Sequence, residues 1–534
     1  MFEAAVPDRV RGPCGNAAGD PSWALAVAIL GSSMAFLDGT VVNVALPVMQ
    51  RDLRTTVYQV QWVVEAYALL LAALVLVGGA AGDRFGRRRV FSWGVVLFAA
   101  ASAGCSIAPT IGLLIVARGI QGTGAALLVP GSLSLISAAY PAGERGAAIG
   151  TWSAFSAITT AVGPLAGGWV VTHASWRWLF LINVPFAVAI VVLAAARVTD
   201  TRDDNAPPGM DLAGASLATV GLGLVVYALI DSERTGGPGS ARAITLLLLG
   251  GLTLVAFVLL EARQAAPMVP LSLFRSRTFA GANLLTLLLY AALGGGLFFV
   301  PFNLIQVQHY SPAAAGASLL PFILLISVMS RWAGDLAVRW GPRRFLVAGP
   351  LIASSGFALL ALPTTGGVYW TTFFPGILVL GLGMGLTVAP LTSAVMGAVD
   401  PRHAGVASGI NNAIARAAGL LAVAGLGALL VARFNQVLDG RVSVLSLSTS
   451  MASVVDVERN KLSGANFSAF DPLVRETLRQ AFDGAYVTAF RTLMVAGALL
   501  AALAALVGLS LVQLTGARPR EATSERRWES LEGR

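Results

Sequence analysis

The sequence predicts an all-α membrane protein: two like-oriented six-helix bundles with two further helices inserted between them. Three observations predict it. The first is composition: 56% of the 534 residues are hydrophobic and 12% charged, and mean hydropathy is +0.75. A soluble domain carries roughly twice that share of charge. The second is a succession of fourteen apolar runs, near 23–48, 60–80, 90–108, 111–139, 147–171, 178–197, 210–230, 243–261, 278–304, 313–337, 345–362, 370–396, 405–432 and 485–514. Most are about the ~20 residues that a helix needs to cross a bilayer. Helices are the expected form, because open strands leave backbone groups unpaired in lipid. The third is an internal repeat. Gly79, Arg84, Gly86 and Arg88 recur as Gly334, Arg339, Gly341 and Arg343, each 255 positions later, with Val338 where the first copy has Asp83. Both copies follow a span running in the same direction, so the two halves share one orientation, with a substrate site expected between them near the midplane.

Residues 1–22 form a polar tail containing Asp8, Arg9, Arg11 and Asp20. The apolar run that follows is too long for the core of a signal peptide, so it reads as a retained first span. Residues 23–197 make the first bundle, 198–277 the two-helix insert with its flanking loops, 278–514 the second bundle, and 515–534 a second tail. Arginines orient the whole. Arg84, Arg87, Arg88 and Arg89 crowd one short loop, and Arg145, Arg197, Arg202, Arg263, Arg275, Arg277, Arg339, Arg343, Arg344 and Arg402 mark the same side. Arg51, Arg54, Arg177, Arg234 and Arg242 are the sparser set on the other. Short arginine-rich loops resist translocation, so the richer side is expected to be cytoplasmic, together with both termini. The net charge of +9 is then a matter of topology, and no nucleic-acid partner is implied. Cys14 and Cys105 offer no disulfide framework. One stretch breaks the pattern of short loops: 433–484 reads as a long polar extracellular segment with Asp456, Glu458, Arg459, Lys461 and a helix-like Asp471–Asp483, a length usually associated with function or disorder.

Several motifs then accumulate. Gly79-Ala-Ala-Gly-Asp83-Arg84-Phe-Gly86-Arg87-Arg88 joins the second and third spans; its glycines permit a tight turn, and Asp83 can pair with arginines at the helix end. Leu37-Asp38-Gly-Thr40-Val-Val-Asn43-Val-Ala-Leu46-Pro47 closes the first span, and Arg118-Gly-Ile-Gln121-Gly122-Thr-Gly124 lies in the fourth. Gly163-Pro164-Leu-Ala-Gly167-Gly168 lies in the fifth, followed by Trp176-Arg177-Trp178-Leu-Phe180-Leu-Ile-Asn183-Val-Pro185. Asp400 to Arg416 opens the thirteenth. In this order, and over essentially the whole chain, the set resembles the major facilitator superfamily, and within it the fourteen-span drug:proton antiporters of the QacA and EmrB kind. The resemblance implies a major facilitator fold, with the 79–88 loop as a conformational latch. It implies Gly163, Pro164, Gly167 and Gly168 as the element that accompanies antiport, and Arg118 as part of the proton path. Val338 leaves the second loop without the acidic member of the latch.

The ionisable residues carry the chemistry. Asp38 stands 15 residues into the first span, about 22 Å along a helix rising ~1.5 Å per residue. A carboxylate at that depth costs several kcal/mol unless it is protonated, paired or hydrated, so a functional role is the default, against a structural hydrogen bond as the plain alternative. Glu65 sits one turn after Trp62 and faces the same side; an aromatic ring beside a carboxylate suits a lipophilic cation. Tyr67 and Asn43 are further candidates for the substrate cavity. Arg118 is expected to pair with Asp38 or with Glu65, and Arg416 is its counterpart in the second half. Arg331 and Asp335, spaced i, i+4, read as a local ion pair.

The function expected is export of lipophilic, cationic drugs or toxic molecules across the plasma membrane by alternating access, driven by protons. The partners expected are the bilayer, protons and a drug-like cargo, with the chain acting as a monomer. No cofactor and no metal are implied. Two alternatives share the fold: a dedicated exporter of one metabolite, lipid or self-made antibiotic, and a proton symporter. An enzyme or sensor would need a catalytic cluster, whereas His173, His309 and His403 lie in separate loops. A nucleotide-driven pump would need a phosphate-cradling G-x-x-x-x-G-K-[ST], which the chain lacks.

Overall fold

The computed structural model describes residues 21–513 except 203–210, 233–239, 265–266, 401–403, 446–447 and 469. The two expected tails, with Cys14, fall outside the described residues apart from Pro21 and Ser22, as does Arg402. The first half runs α1 (Pro21–Asp52), α2 (Val57–Phe85), α3 (Arg87–Ile107), α4 (Ile111–Ala139), α5 (Ala142–His173), a single turn α6 (Trp178–Leu181) and α7 (Asn183–Arg197). The insert is α8 (Leu212–Asp231) and α9 (Ala241–Arg263). The second half runs α10 (Arg277–Phe302), α11 (Pro312–Ala317), α12 (Leu320–Trp340), α13 (Pro342–Leu360), a short α14 (Tyr369–Thr372), α15 (Phe374–Gly397) and α16 (Ala404–Val442). It closes with α17 (Thr449–Glu458) and α18 (Pro472–Leu511). Among the described residues thirteen helices are long and apolar enough to cross a membrane. The 32-residue α5 stands beside them as a further long helix, some of its side chains lying outside the described set.

Local chemistry explains the ends. Thr56 and Gln59 form a capping box at the start of α2, which satisfies backbone donors that a helix terminus leaves free. Ser240, Ser276 and Ser311 each accept a backbone N–H at the start of α9, α10 and α11. Between α2 and α3 the chain turns at Gly86 with φ of +107°, and between α12 and α13 at Gly341 with φ of +81°. Only glycine takes such angles without strain, which is why glycine stands at both places in the repeat.

Two expected boundaries move. The long polar segment expected over 433–484 is helical at both ends: α16 continues to Val442, and α18 begins at Pro472, which takes in the expected helix-like stretch Asp471–Asp483. These helices run beyond the apolar stretch, their polar residues standing clear of the span. Between them, the described residues of 443–471 form a strap built on α17 and the 3₁₀ segment Arg459–Gly464. The expected Arg331–Asp335 ion pair is absent among the described residues: both side chains are exposed on α12 and neither meets an ionic partner.

Candidate functional site

Asp38 on α1 is buried at 1% exposure, and so is Arg118 on α4. The Arg118 guanidinium pairs directly with the Asp38 carboxylate and also donates to Gln121 Oε1 at 2.7 Å and to the Val63 carbonyl of α2 at 2.9 Å. Gln121 Nε2 donates to the other Asp38 oxygen at 2.9 Å, and Asn183 Nδ2 of α7 approaches that oxygen at 3.4 Å. Ser102 of α3 accepts from Asn183 at 3.0 Å and from Gln121 at 3.3 Å, and donates to the Phe180 carbonyl of α6 at 2.8 Å. One ion pair therefore knots together α1, α2, α3, α4, α6 and α7. A lone charge at this depth is expensive, whereas a pair whose remaining donors and acceptors are filled is tolerated. Tyr67 lies beneath Arg118, the ring centroid 4.2 Å from the guanidinium carbon, and its hydroxyl donates to the Ala35 carbonyl at 3.3 Å.

Of the two acids expected to compete for Arg118, Asp38 takes it. Glu65 is also buried at 1% exposure, yet neither of its oxygens has a hydrogen-bond partner among the described residues. Helical spacing explains the separation: Glu65 shares a face of α2 with Tyr58, Trp62 and Leu69. Those residues pack against Val226 and Ile230 of α8 and Leu420 and Ala424 of α16. Trp62 meets Tyr227 of α8, ring centroids 6.1 Å apart. Trp62 and Tyr67 are thus about 140° apart around α2, at roughly 100° per residue. The three expected cavity residues do not gather in one place; Asn43 sits on α1 with its side-chain oxygen buried and unpartnered.

The glycine motif of α5 works by close approach. Side-chain atoms at Gly163 and Gly167 would collide with Thr40 and Val41 of α1, and one at Gly168 with the backbone of Pro312 and Ala313 of α11. Gly316 of α11 faces the Pro164 carbonyl in the same manner. Missing side chains therefore let α5 bind its own bundle on one side and the other bundle on the opposite side. This closure lies at the end of the molecule away from the arginine loops. Gln306, in the π-helical turn after α10, reinforces it by donating to Gln50 of α1 at 2.9 Å, while Gln50 donates to the Lys461 carbonyl of the strap at 3.2 Å. Leu462, buried and held at φ of +52°, wedges beside Val57, Tyr58 and Gln61 of α2 and Gly427 and Val431 of α16.

The latch residues also find partners. Asp83 pairs with Arg87 at 2.8 Å, Arg84 lies over the Phe85 ring at 5.6 Å, and Arg88 donates to the Ala195 and Val198 carbonyls at 3.3 and 3.1 Å. Asp200, beyond the end of α7, pairs with Arg89 of the same loop at 2.9 Å. Sequence reasoning missed three members of these networks, Ser102, Asp200 and Gln50. A serine inside an apolar run and an acid between Arg197 and Arg202 were the available signals. Between α1, α5 and α6–α7 opens a cleft of about 600 Å³, walled by Trp169 and Trp178, with Asp38 and Asn183 among its lining residues.

A family model described as Major Facilitator Superfamily matches residues 28–455. The chain is 38% identical over 408 residues to the puromycin resistance protein pur8 of Streptomyces alboniger, covering 75% of this chain and 80% of that one. It is 34% identical over 426 residues to the tetracenomycin C resistance and export protein of Streptomyces glaucescens, covering 80% and 79%. Among solved structures, a bacterial homologue of the human lysosomal transporter Spinster, captured inward-facing and unoccupied, superposes with a TM-score of 0.66. That likeness covers 93% of this chain and 99% of the other at 17% identity, and so bears on the fold alone.

Proposed function

This chain belongs to the major facilitator superfamily and is a membrane transporter rather than an enzyme; we propose that it exports lipophilic small molecules from the cell in exchange for protons. The arginine-loop end faces the cytoplasm in this reading, with both termini on that side. The observation that carries the reading is the Asp38–Arg118 pair, sealed at lipid depth and tied to six helices of one bundle. Protonating Asp38 cancels the charge that holds Arg118, so one proton re-sorts bonds on every helix of the knot. The same proton leaves the guanidinium seeking new acceptors. The bundles then part where Gly168 meets Pro312 and Gln50 meets Gln306, and the cargo leaves on that side. Cations are included in the cargo class on the strength of Glu65, whose two buried oxygens lack partners.

The energetics suffice for a neutral cargo exchanged for one proton: one charge crossing 100 mV yields about 2.3 kcal/mol, and at 1.4 kcal/mol per tenfold this sustains a gradient of roughly fortyfold. A monovalent cation exchanged for one proton moves no net charge, so a second proton, carried by Glu65, would be needed to draw on the potential. The test is efflux of a lipophilic cationic dye from cells making the wild-type protein or Asp38→Asn, each with and without an uncoupler. Wild-type efflux should collapse with the uncoupler, and the variant should lose at least tenfold in rate; undiminished pumping by Asp38→Asn would remove Asp38 as proton carrier. The strap, 443–471, bridges both halves above the closed end, and in this reading it must lift before release. Deleting it without any change in efflux would dispose of that role.

A further inference from the structure

Arginines within the spans differ in how far they are satisfied. Arg118 has Asp38, Gln121 and the Val63 carbonyl, and Arg491 donates to the Ala361 carbonyl at 2.7 Å. Arg416, in the half of α16 nearer the arginine loops, has no hydrogen bond and no ionic partner among the described residues, and it is only half-buried. Its position on the helix is fixed by its neighbours. Gly409, two turns before it, lies against Leu76 of α2; Leu420, one turn after it, packs into the seam of α2 with α8; and Gly427 further along meets Gln61 of α2. Arg416 therefore belongs to the stripe of α16 that faces α2, the line along which the two bundles meet.

From this placement we infer that Arg416 receives an oxyanion of the cargo, a carboxylate or phenolate carried on a lipophilic body. The inference rests on the export reading and names a substrate class within it. A guanidinium offers a flat fork of five donors that matches a carboxylate in bidentate fashion. Neither buried acid of the first bundle pairs with it: Asp38 is committed to Arg118 and Gln121, and the Glu65 oxygens have no partner among the described residues, which leaves the Arg416 charge to be completed by the cargo. A monoanion leaves the bound pair neutral, which suits a site at lipid depth. Charge counting adds a second consequence. Exchanging an expelled anion for an entering proton moves two positive charges inward per cycle, so an interior-negative potential drives acids harder than it drives cations, whose one-for-one exchange is electroneutral.

The experiment uses purified full-length protein in nanodiscs, with 2-naphthoate and its uncharged methyl ester as paired probes, read by fluorescence titration at neutral pH. Wild type should bind the acid at least tenfold more tightly than the ester. Arg416→Gln should lose at least tenfold for the acid and stay within about twofold for the ester, and Arg416→Lys should retain part of the preference. Equal binding of acid and ester by wild type would overturn the inference without need of any variant. So would an Arg416→Gln protein that weakens for both probes alike, the mark of a merely structural arginine. Binding needs no gradient, so failure here is distinct from failure of the export reading, which is decided by whether wild-type protein in proteoliposomes moves any lipophilic dye under a proton gradient.

Discussion

The loop from Gly79 to Arg89 and its repeat from Gly334 to Arg344 hold the same shape by different chemistry. Both turn on a glycine with positive φ. In both, the arginine two residues later reaches the carbonyl end of the helix that closes its own bundle: Arg88 to Ala195 and Val198 at the end of α7, Arg343 to Leu509 at the end of α18. Those are orphan carbonyls at the negative end of a helix, and a cation there is favourable. The first copy adds carboxylates. Asp83 pairs with Arg87, and Asp200 pairs with Arg89 at 2.9 Å while accepting the Arg88 backbone N–H at 3.1 Å. The second copy has Val338 in place of the first acid and stacks Trp340 on Phe345 instead. What repeats is the turn and the arginine clamp within each bundle; ion pairing belongs to the first half.

The bundle interiors repeat the contrast. In the first half the central knot is ionic, built on Asp38 and Arg118. In the second, Asn411 of α16 donates to Asn283 Oδ1 at 3.0 Å and to Thr286 at 2.7 Å on α10, a wholly neutral arrangement. One half is centred on an ion pair, the other on neutral amides and a hydroxyl.

The sharpest way to break this comparison is to unpair the charged knot. Arg118→Met strands a buried carboxylate and should cost about 3–5 kcal/mol, whereas Asn411→Ala in the neutral centre should cost about 1–2 kcal/mol. Thermal unfolding in detergent measures both, and Asp38→Asn combined with Arg118→Met should recover most of the stability but none of the transport. Equal losses from Arg118→Met and Asn411→Ala would show that the two centres do not differ in kind. Smaller effects are expected at the loops. Arg88→Ala and Arg343→Ala should each cost about 1 kcal/mol, near-equal because the clamp is shared. Asp83→Asn should cost less than about 0.5 kcal/mol, since that pair is partly exposed and screened. A large asymmetry between the two arginines in the same unfolding assay would dissolve the repeated clamp.

Much of the site was legible because membrane depth makes polar residues conspicuous. Asp38 and Arg118 stood out as charges inside apolar runs, and they do meet. That Glu65 would not join them was invisible, because its companions Val226, Ile230, Leu420 and Ala424 come from helices that arrive more than 150 residues later in the chain. The expected i, i+4 pair of Arg331 and Asp335 failed for the opposite reason. Spacing brings two side chains within reach, but both are exposed on α12 and nothing packs them together.

The sequence by itself determined the succession of membrane-length helices, the doubled plan and the place of each charge along its helix. Those follow from hydropathy, loop arginines and position along a helix, all of them one-dimensional quantities. The tertiary structure alone decided which way each helix faces. It put Asp38 on Arg118 across 80 residues and Gln50 on Gln306 across 256. It turned Glu65 to the insert and left Arg416 open. A rotation of a few tens of degrees about a helix axis changes neither composition nor hydropathy, yet it exchanges every neighbour a side chain has. That choice is made by packing, and packing is settled only when all the helices are in place.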